Sequence, residues 1–365
     1  MLRTVLNAMM LSAAAVGSSG AQATRTAIDS LMSAYDSPRV PGASLLVVHN
    51  GKVVIVKGYG LADAKTGTLV TPATNFRLAS LSKQFTATAI MLLANDKKLH
   101  YDDDITQHLN TLPAFACGVS IRNLLNHTGG LPDYEDFVPD TRQAQVHDAD
   151  VPRLIGHAAA AKFAPGTRYD YSNTGYALLA LIVEHASGVP YADFVQKRIF
   201  VPLHMTGTVA YEAGRSTVAN RAYGHTLSGF EVKSTDQSNT SAVLGDGGIY
   251  SSGNDLALWD QAIEKHTLVR ARDQKLAFTP PTLPKGAATE YGFGWFVDRD
   301  RGMLRLRHHG ESRGFTNGII RYPDQHLTVA ILTNRSGGAP WDIAQKIADL
   351  YLGRNASTPS APWRP

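Results

Sequence analysis

Ser80 and Lys83 stand three residues apart in the segment Phe76-Arg77-Leu78-Ala79-Ser80-Leu81-Ser82-Lys83-Gln84-Phe85. The apolar spacing from Phe85 onward (Phe85, Ala89, Leu92, Leu93) predicts a helix over 80–97. On a helix, residues three apart share a face and can touch. A serine hydroxyl is a poor nucleophile until a base takes its proton. A lysine can be that base once burial and nearby cations lower its pKa. The first turn of the helix also offers free N–H groups to a developing oxyanion. Taken alone, the same residues also fit a serine cap followed by a solvated lysine. Two later stretches add candidates. Tyr171-Ser172-Asn173 precedes a helical pattern at 174–187. A tyrosine beside an ammonium can pass a proton to a leaving group, and an asparagine can hold a substrate amide. A capped turn with a packed tyrosine is the plainer reading. Finally, Arg305-Leu306-Arg307-His308-His309-Gly310 ends a strand pattern. A basic residue, any residue, then glycine on an edge strand would let a substrate backbone lie along it. The plainer reading of the histidines is a surface doublet.

These residues must be positioned by the rest of the chain. Residues 26–36 read as a short amphipathic helix. Ala43–His49 and Val53–Lys57 flank Asn50-Gly51, the strongest short hairpin signal, because both turn positions need positive φ. Helices follow near 119–126, 151–162, 174–187, 190–199 and 254–266. Strands return at Tyr291–Val297, Met303–His308, Thr316–Tyr322 and Leu327–Thr333, and a last amphipathic helix covers 341–352. The expected class is α+β: an antiparallel sheet flanked by N- and C-terminal helices, with an inserted, mostly helical domain. The sheet domain is assigned to 24–75 and 285–353, the helical domain to 76–284, and a disordered tail to 354–365.

The three candidate stretches together resemble the serine β-lactamase-like superfamily of class C β-lactamases, DD-carboxypeptidases and related esterases. That family carries S-x-x-K, Y-x-N and K-T-G or H-x-G in this order. Here they are Ser80-Leu81-Ser82-Lys83, Tyr171-Ser172-Asn173 and His308-His309-Gly310. Between them, Ile121–Pro132, Gly245–Ser252 and Tyr291–Trp295 are similar to family loops. The resemblance implies Ser80 as the acylated residue, with Lys83 and Tyr171 sharing the proton work and the identity of the base open. It implies Asn173, His308, His309, Gly310 and Glu311 at the substrate, with the N–H groups of Ser80 and Glu311 forming the oxyanion hole. It implies no cofactor and no metal. His308 would stand where class C enzymes carry a lysine. It would bind a carboxylate less firmly, and Glu311, offset by Arg313, adds negative charge. Both departures point away from an efficient β-lactamase. The substrate is a small molecule or peptide: a β-lactam, a D-amino acid peptide, an ester, or a cell-wall fragment. A penicillin-recognising sensor or wall-binding module that is acylated without turnover is the alternative.

Gly310-Glu311-Ser312-Arg313-Gly314 also matches the G-x-S-x-G elbow, which needs a strand before and a helix after. Here a strand pattern follows, so Ser312 is the weaker nucleophile candidate. Metal binding has little support: no H-E-x-x-H occurs, and neighbouring histidines on a strand point to opposite faces.

The composition agrees. Hydrophobic residues are 44% and charged residues 18% of 365, which builds a sizeable core and excludes a disordered chain. The net charge of +4 is scattered without a Lys/Arg run, which argues against nucleic acid. The one cysteine, Cys117, excludes an internal disulfide. Residues 1–23 read as a signal peptide: Arg3, an apolar stretch to Val16, then Ala21-Gln22-Ala23. Cleavage after Ala23 would send the chain to a periplasm or the exterior, with no stable membrane span left.

Overall fold

The computed structural model describes residues 22, 24–139, 141–228 and 231–354. All of the expected signal peptide but residue 22, and nearly all of the expected tail, lie outside the described residues. In the tail, residue 354 is described: Arg354 donates to Asp300 at 2.8 Å and so belongs to the packed body.

The first helix among the described residues, α1, covers residues 24–32. Strands β1 (Ala43–His49) and β2 (Lys52–Tyr59) form the expected hairpin. Asn50 and Gly51 sit at φ 53° and 70°, the left-handed pair such a turn demands. A short strand, β3 (Phe76–Arg77), leads into a 3-10 turn, Ala79–Ser82, and then helix α2, Lys83–Asn95. Helix α3 covers Asn173–Ser187, the short strand β4 covers Ile249–Ser251, and α4 covers Gly253–Glu264. The late strands are β5 (Phe296–Asp300), β6 (Met303–Ser312), β7 (Phe315–Tyr322) and β8 (Leu327–Thr333). Helix α5, Pro340–Tyr351, follows.

The main sheet runs β5-β6-β7-β8-β1-β2, antiparallel at every junction. The early hairpin therefore docks on the last strand. The alternation of β1 explains how the sheet is covered. Leu45 and Val47 pack with Ile28, Met32 and Ile347 of α1 and α5. Leu46 and Val48 join the larger core with Phe85 of α2 and Leu256 and Trp259 of α4. Side chains two apart on a strand share a face, so one strand feeds both cores.

Three expectations needed correction. The helix expected over 151–162 ends at Ile155, where Gly156 follows and the apolar repeat stops. The strand expected over Tyr291–Val297 begins only at Phe296. Residues 291–295 turn instead, because Gly294 (φ 76°) passes against α2. A Cβ there would meet the Lys83 carbonyl at 2.9 Å. Finally, β6 is not an edge strand along its whole length. Strand β5 pairs with it only from Met303 to Arg307, so its outer edge is free of strand pairing from His308 to Ser312.

Gly310 lies in that stretch. A Cβ at Gly310 would meet the Leu78 carbonyl at 2.1 Å, so glycine lets β6 lie against the turn that carries Ser80. Gly310→Ala is expected to destabilise the protein by about 1–3 kcal/mol through this overlap and to depress activity with it. Thermal denaturation and kinetics of the variant check this; an unchanged melting point with full activity would show the contact is soft.

Candidate active site

Ser80 sits on the 3-10 turn that joins β3 to α2. Ala79 before it adopts φ 51°, a left-handed conformation that costs a β-carbon residue on the order of 1 kcal/mol. The bend turns the chain out of β3 and sets Ser80 at the lip of a cleft. The cleft is lined by Ser80, Tyr134, Glu135, Asn173, Asp246 and Glu311, with Arg77, Ser241, Ser312 and Arg313 also on its wall.

Lys83, one turn on, is fully buried beneath Ser80. Its Nζ donates to Ser80 Oγ at 3.0 Å, to Asn173 Oδ1 at 2.8 Å and to the Asp246 carbonyl at 3.0 Å. An ammonium has three N–H bonds, so this set uses all of them. Two of the acceptors, an amide oxygen and a carbonyl, can only accept. When the ammonium loses one proton, the two remaining N–H bonds stay on those acceptors. The lone pair then faces Ser80, and the serine hydroxyl becomes the donor. Burial lowers the Lys83 pKa from the usual lysine range, with Asp246, Asp133 and Glu135 opposing the shift. The arrangement thus makes a neutral amine accessible and aims it at the nucleophile.

Tyr171 lies over the same ammonium, with Lys83 Nζ 5.0 Å from its ring centre. Its hydroxyl is buried without a hydrogen-bond partner among the described residues. Burial raises its pKa above the usual phenol range, and the Ser80 hydroxyl acts in the opposite direction. Tyr171 is therefore a neutral phenol in the resting site, with its hydroxyl free to take part in a relay.

Helix α3 carries Asn173 at its start. The Asn173 N–H and the Ser172 hydroxyl both donate to Asp133, at 2.8 and 3.0 Å. Asp133 thus supplies from another loop the acceptor a helix start lacks. Thr174 Oγ1 accepts from the Tyr134 N–H at 2.8 Å, which ties the same loop down. Asn173 Nδ2 reaches Glu135 at 3.3 Å, and the Tyr134 hydroxyl donates to Asp246 at 2.9 Å. Burial raises the pKa of the Asp246 carboxyl. Burial, with Asp133 second, does the same to Glu135.

The structure brings Ser80, Lys83, Tyr171, Asn173, Gly310 and Glu311 together. It does not place the two histidines as expected. His308 is buried, its Nδ1 2.6 Å from the His309 carbonyl and its Nε2 2.8 Å from the Tyr291 hydroxyl. A carbonyl only accepts, so Nδ1 carries the proton and Nε2 accepts from Tyr291. Burial holds this imidazole well below its usual pKa, and His309 and Lys83 act in the same direction. His308 is thus a neutral, fully bonded group and offers a substrate carboxylate no charge. The expectation of a carboxylate contact there is corrected. His309 packs 5.9 Å from Trp341 of α5, away from the cleft, because successive side chains on β6 face opposite sides. Ser312 stands on β6 with strand β7 following, so the G-x-S-x-G match has no helix behind it.

The chain matches the Beta-lactamase family model over residues 25–352. It belongs to that family. It is 32% identical to penicillin-binding protein 4* of Bacillus subtilis over 337 residues, which covers 87% of this chain and 74% of that protein. It is 29% identical to the D-aminopeptidase of Brucella ovis, covering 86% of this chain but 60% of that protein. Its fold is similar to that of the D-amino acid amidase from Ochrobactrum anthropi solved with L-phenylalanine amide. The TM-score is 0.75 at 25% identity, covering 90% of this chain and 97% of that one. The protein is thus a serine hydrolase with the β-lactamase fold.

Within this β-lactamase-family site, sequence reading missed Asp133, Tyr134, Glu135, Arg77 and the role of Asp246. The loop Leu131-Pro132-Asp133 did carry a signal: an aspartate after proline is a cap waiting for a helix start. Nothing local shows that the helix it serves begins forty residues later.

Proposed function

We propose that the protein is an exported amidohydrolase that forms a Ser80 acyl-enzyme with short amides or peptides of D-amino acids. The observation that carries this reading is the Lys83–Ser80 contact at 3.0 Å in a buried, fully bonded site. The names of the relatives, a D-aminopeptidase and a D-amino acid amidase, support the substrate class. DD-carboxypeptidase, esterase and β-lactamase activities are the neighbouring possibilities within the same chemistry.

In the first step, neutral Lys83 accepts the Ser80 proton as Oγ bonds to the substrate carbonyl carbon. The oxyanion is met by the N–H groups of Ser80 and Glu311. The proton passes through Lys83 and the Tyr171 hydroxyl to the leaving nitrogen, and the C–N bond breaks. Water then repeats the sequence on the acyl-enzyme and releases the acid. Asn173 holds the substrate amide. Glu135, whose carboxyl lines the cleft, suits a free substrate ammonium.

Two measurements test this. The purified chain is assayed on a D-amino acid amide, a D-Ala-D-Ala peptide, nitrocefin and a short p-nitrophenyl ester. Release of a serine-directed acyl label is timed in parallel, because an acylated sensor would hold its label. Fast turnover of nitrocefin or the ester with none on the D-amide would sink the substrate reading. Glu135→Gln is expected to raise KM for D-phenylalanine amide about tenfold, one charge-assisted bond, and to leave its N-acetyl derivative unchanged. Equal effects on both would remove Glu135 from amine recognition.

A further inference from the structure

The Tyr171 hydroxyl has no hydrogen-bond partner among the described residues. The phenol is therefore placed by what holds its ring and its backbone. Behind it stands His127, a buried group with no part in the steps above. The two ring centres are 4.2 Å apart, against 5.8 Å for Tyr291 and 6.2 Å for Phe296 on the same tyrosine.

His127 also grips the backbone on both sides of Tyr171. Its carbonyl accepts from the Asp170 N–H at 3.0 Å, and its Nδ1 accepts from the Ser172 N–H at 3.2 Å. An imidazole accepts at Nδ1 only when that nitrogen is unprotonated, so the proton sits on Nε2. Burial holds this imidazole well below its usual pKa, and Lys83 acts in the same direction. Nε2 is buried and finds no partner among the described residues. A buried N–H without a partner costs stability, so a plain aromatic ring would pack here more favourably. What the histidine adds is the acceptor at Nδ1.

The platform under His127 is well tied. The residue follows the short helix Ile121–Leu125 and adopts φ 58°, a left-handed conformation that histidine and asparagine enter more readily than most residues. Thr128 beside it donates to Asn126 at 2.6 Å and accepts from Asn123 at 2.9 Å. Tyr176 of α3 donates to the Leu125 carbonyl at 2.8 Å. Asp133 holds the Asn173 N–H and the Ser172 hydroxyl separately. His127 therefore bears on the tyrosine rather than on the asparagine.

We infer that His127 is a positioning residue for Tyr171, its Nδ1 fixing the backbone that sets the phenol over Lys83. It lies off the cleft wall and acts only through the tyrosine. Without the bond to Ser172, the hydroxyl loses its line between Lys83 and the leaving group, while binding through Asn173 is spared. This deepens the proposed function and rests on it, because Tyr171 must deliver a proton to the leaving nitrogen.

The test follows kcat and KM of the full chain on D-phenylalanine amide and on p-nitrophenyl acetate. The amide needs its leaving nitrogen protonated, whereas p-nitrophenolate leaves with little help. His127→Phe keeps a ring and removes the acceptor. It is expected to lower kcat on the amide by about ten- to a hundredfold, part of the full loss of a proton carrier, with KM and the ester rate within about threefold of wild type. His127→Asn puts Oδ1 where Nδ1 stood and suits the left-handed φ, so it is expected to recover most of the amide rate. His127→Gln carries its acceptor one bond further out and is expected to behave like His127→Phe, which reads the same loss should the ring variant not fold. In the Tyr171→Phe background, either change is expected to add little. An unchanged amide rate in His127→Phe and His127→Gln, equal losses on amide and ester, losses that multiply with Tyr171→Phe, or an asparagine variant no faster than the other two overturns the positioning role while the proposed function stands. A wild type that leaves the amide intact overturns both.

Discussion

Ser80→Ala is expected to abolish turnover, with a loss on the order of 10⁴–10⁶-fold in kcat, because no other group can form the acyl bond. The geometry explains the size. Ser80 is the hydroxyl bonded to a buried lysine, at the lip of the cleft, beside the free end of β6. Ser312 is the competing serine, and its hydroxyl has no base bonded to it among the described residues. Ser312→Ala is therefore expected to leave turnover within a few-fold of wild type. Mass spectrometry after labelling with a phosphonate or a penicillin locates the adduct. An adduct on the peptide containing Ser312, or full activity in Ser80→Ala, would refute the assignment.

Lys83→Ala and Tyr171→Phe are each expected to slow acylation by about 10²–10⁴-fold, the usual range for a positioned proton carrier. Lys83 carries the larger share, because its lone pair is aimed at Ser80 by the Asn173 and Asp246 acceptors. The double variant is expected to lose far less than the product of the single losses, since the two groups move one proton. Losses that multiply would show two independent roles. The pH profile follows from the same site. Burial depresses the Lys83 pKa, so the neutral base appears at a lower pH than for an exposed lysine. The rate is therefore expected to rise with pH and to level off below the ordinary lysine range. His308 is already neutral, so no separate imidazole limb is expected. A rate that falls as pH rises through 6 to 8, on a neutral substrate, would contradict the lysine base.

Acyl-transfer chemistry was legible in this sequence because its parts are local. Ser80-x-x-Lys83, Tyr171-x-Asn173 and His308-x-Gly310 are each short stretches, and their order along the chain is what resembles the β-lactamase family; spacing alone left a serine cap, a solvated lysine and a capped turn open. The hairpin at Asn50-Gly51 was legible for the same reason: a two-residue turn with positive φ admits few residue types. The sheet was legible because alternating apolar strands must pair with something, and the late strands stand at hairpin spacing.

What the sequence could not settle are the contacts whose partners lie far along the chain. His308 is read as a weak carboxylate contact from its motif position, but burial keeps it neutral and Tyr291, seventeen residues earlier, holds it in a hydrogen bond. Asp133 caps a helix forty residues away, and the Asp246 backbone carbonyl, 163 residues from Lys83, helps aim the amine. Whether a side chain is charged or exposed depends on desolvation, and desolvation belongs to the packed whole rather than to neighbouring residues. Arg77 shows this most clearly. In the sequence it is one arginine at the edge of a short strand. Only the tertiary fold buries it beside the nucleophile, with no counter-ion among the described residues.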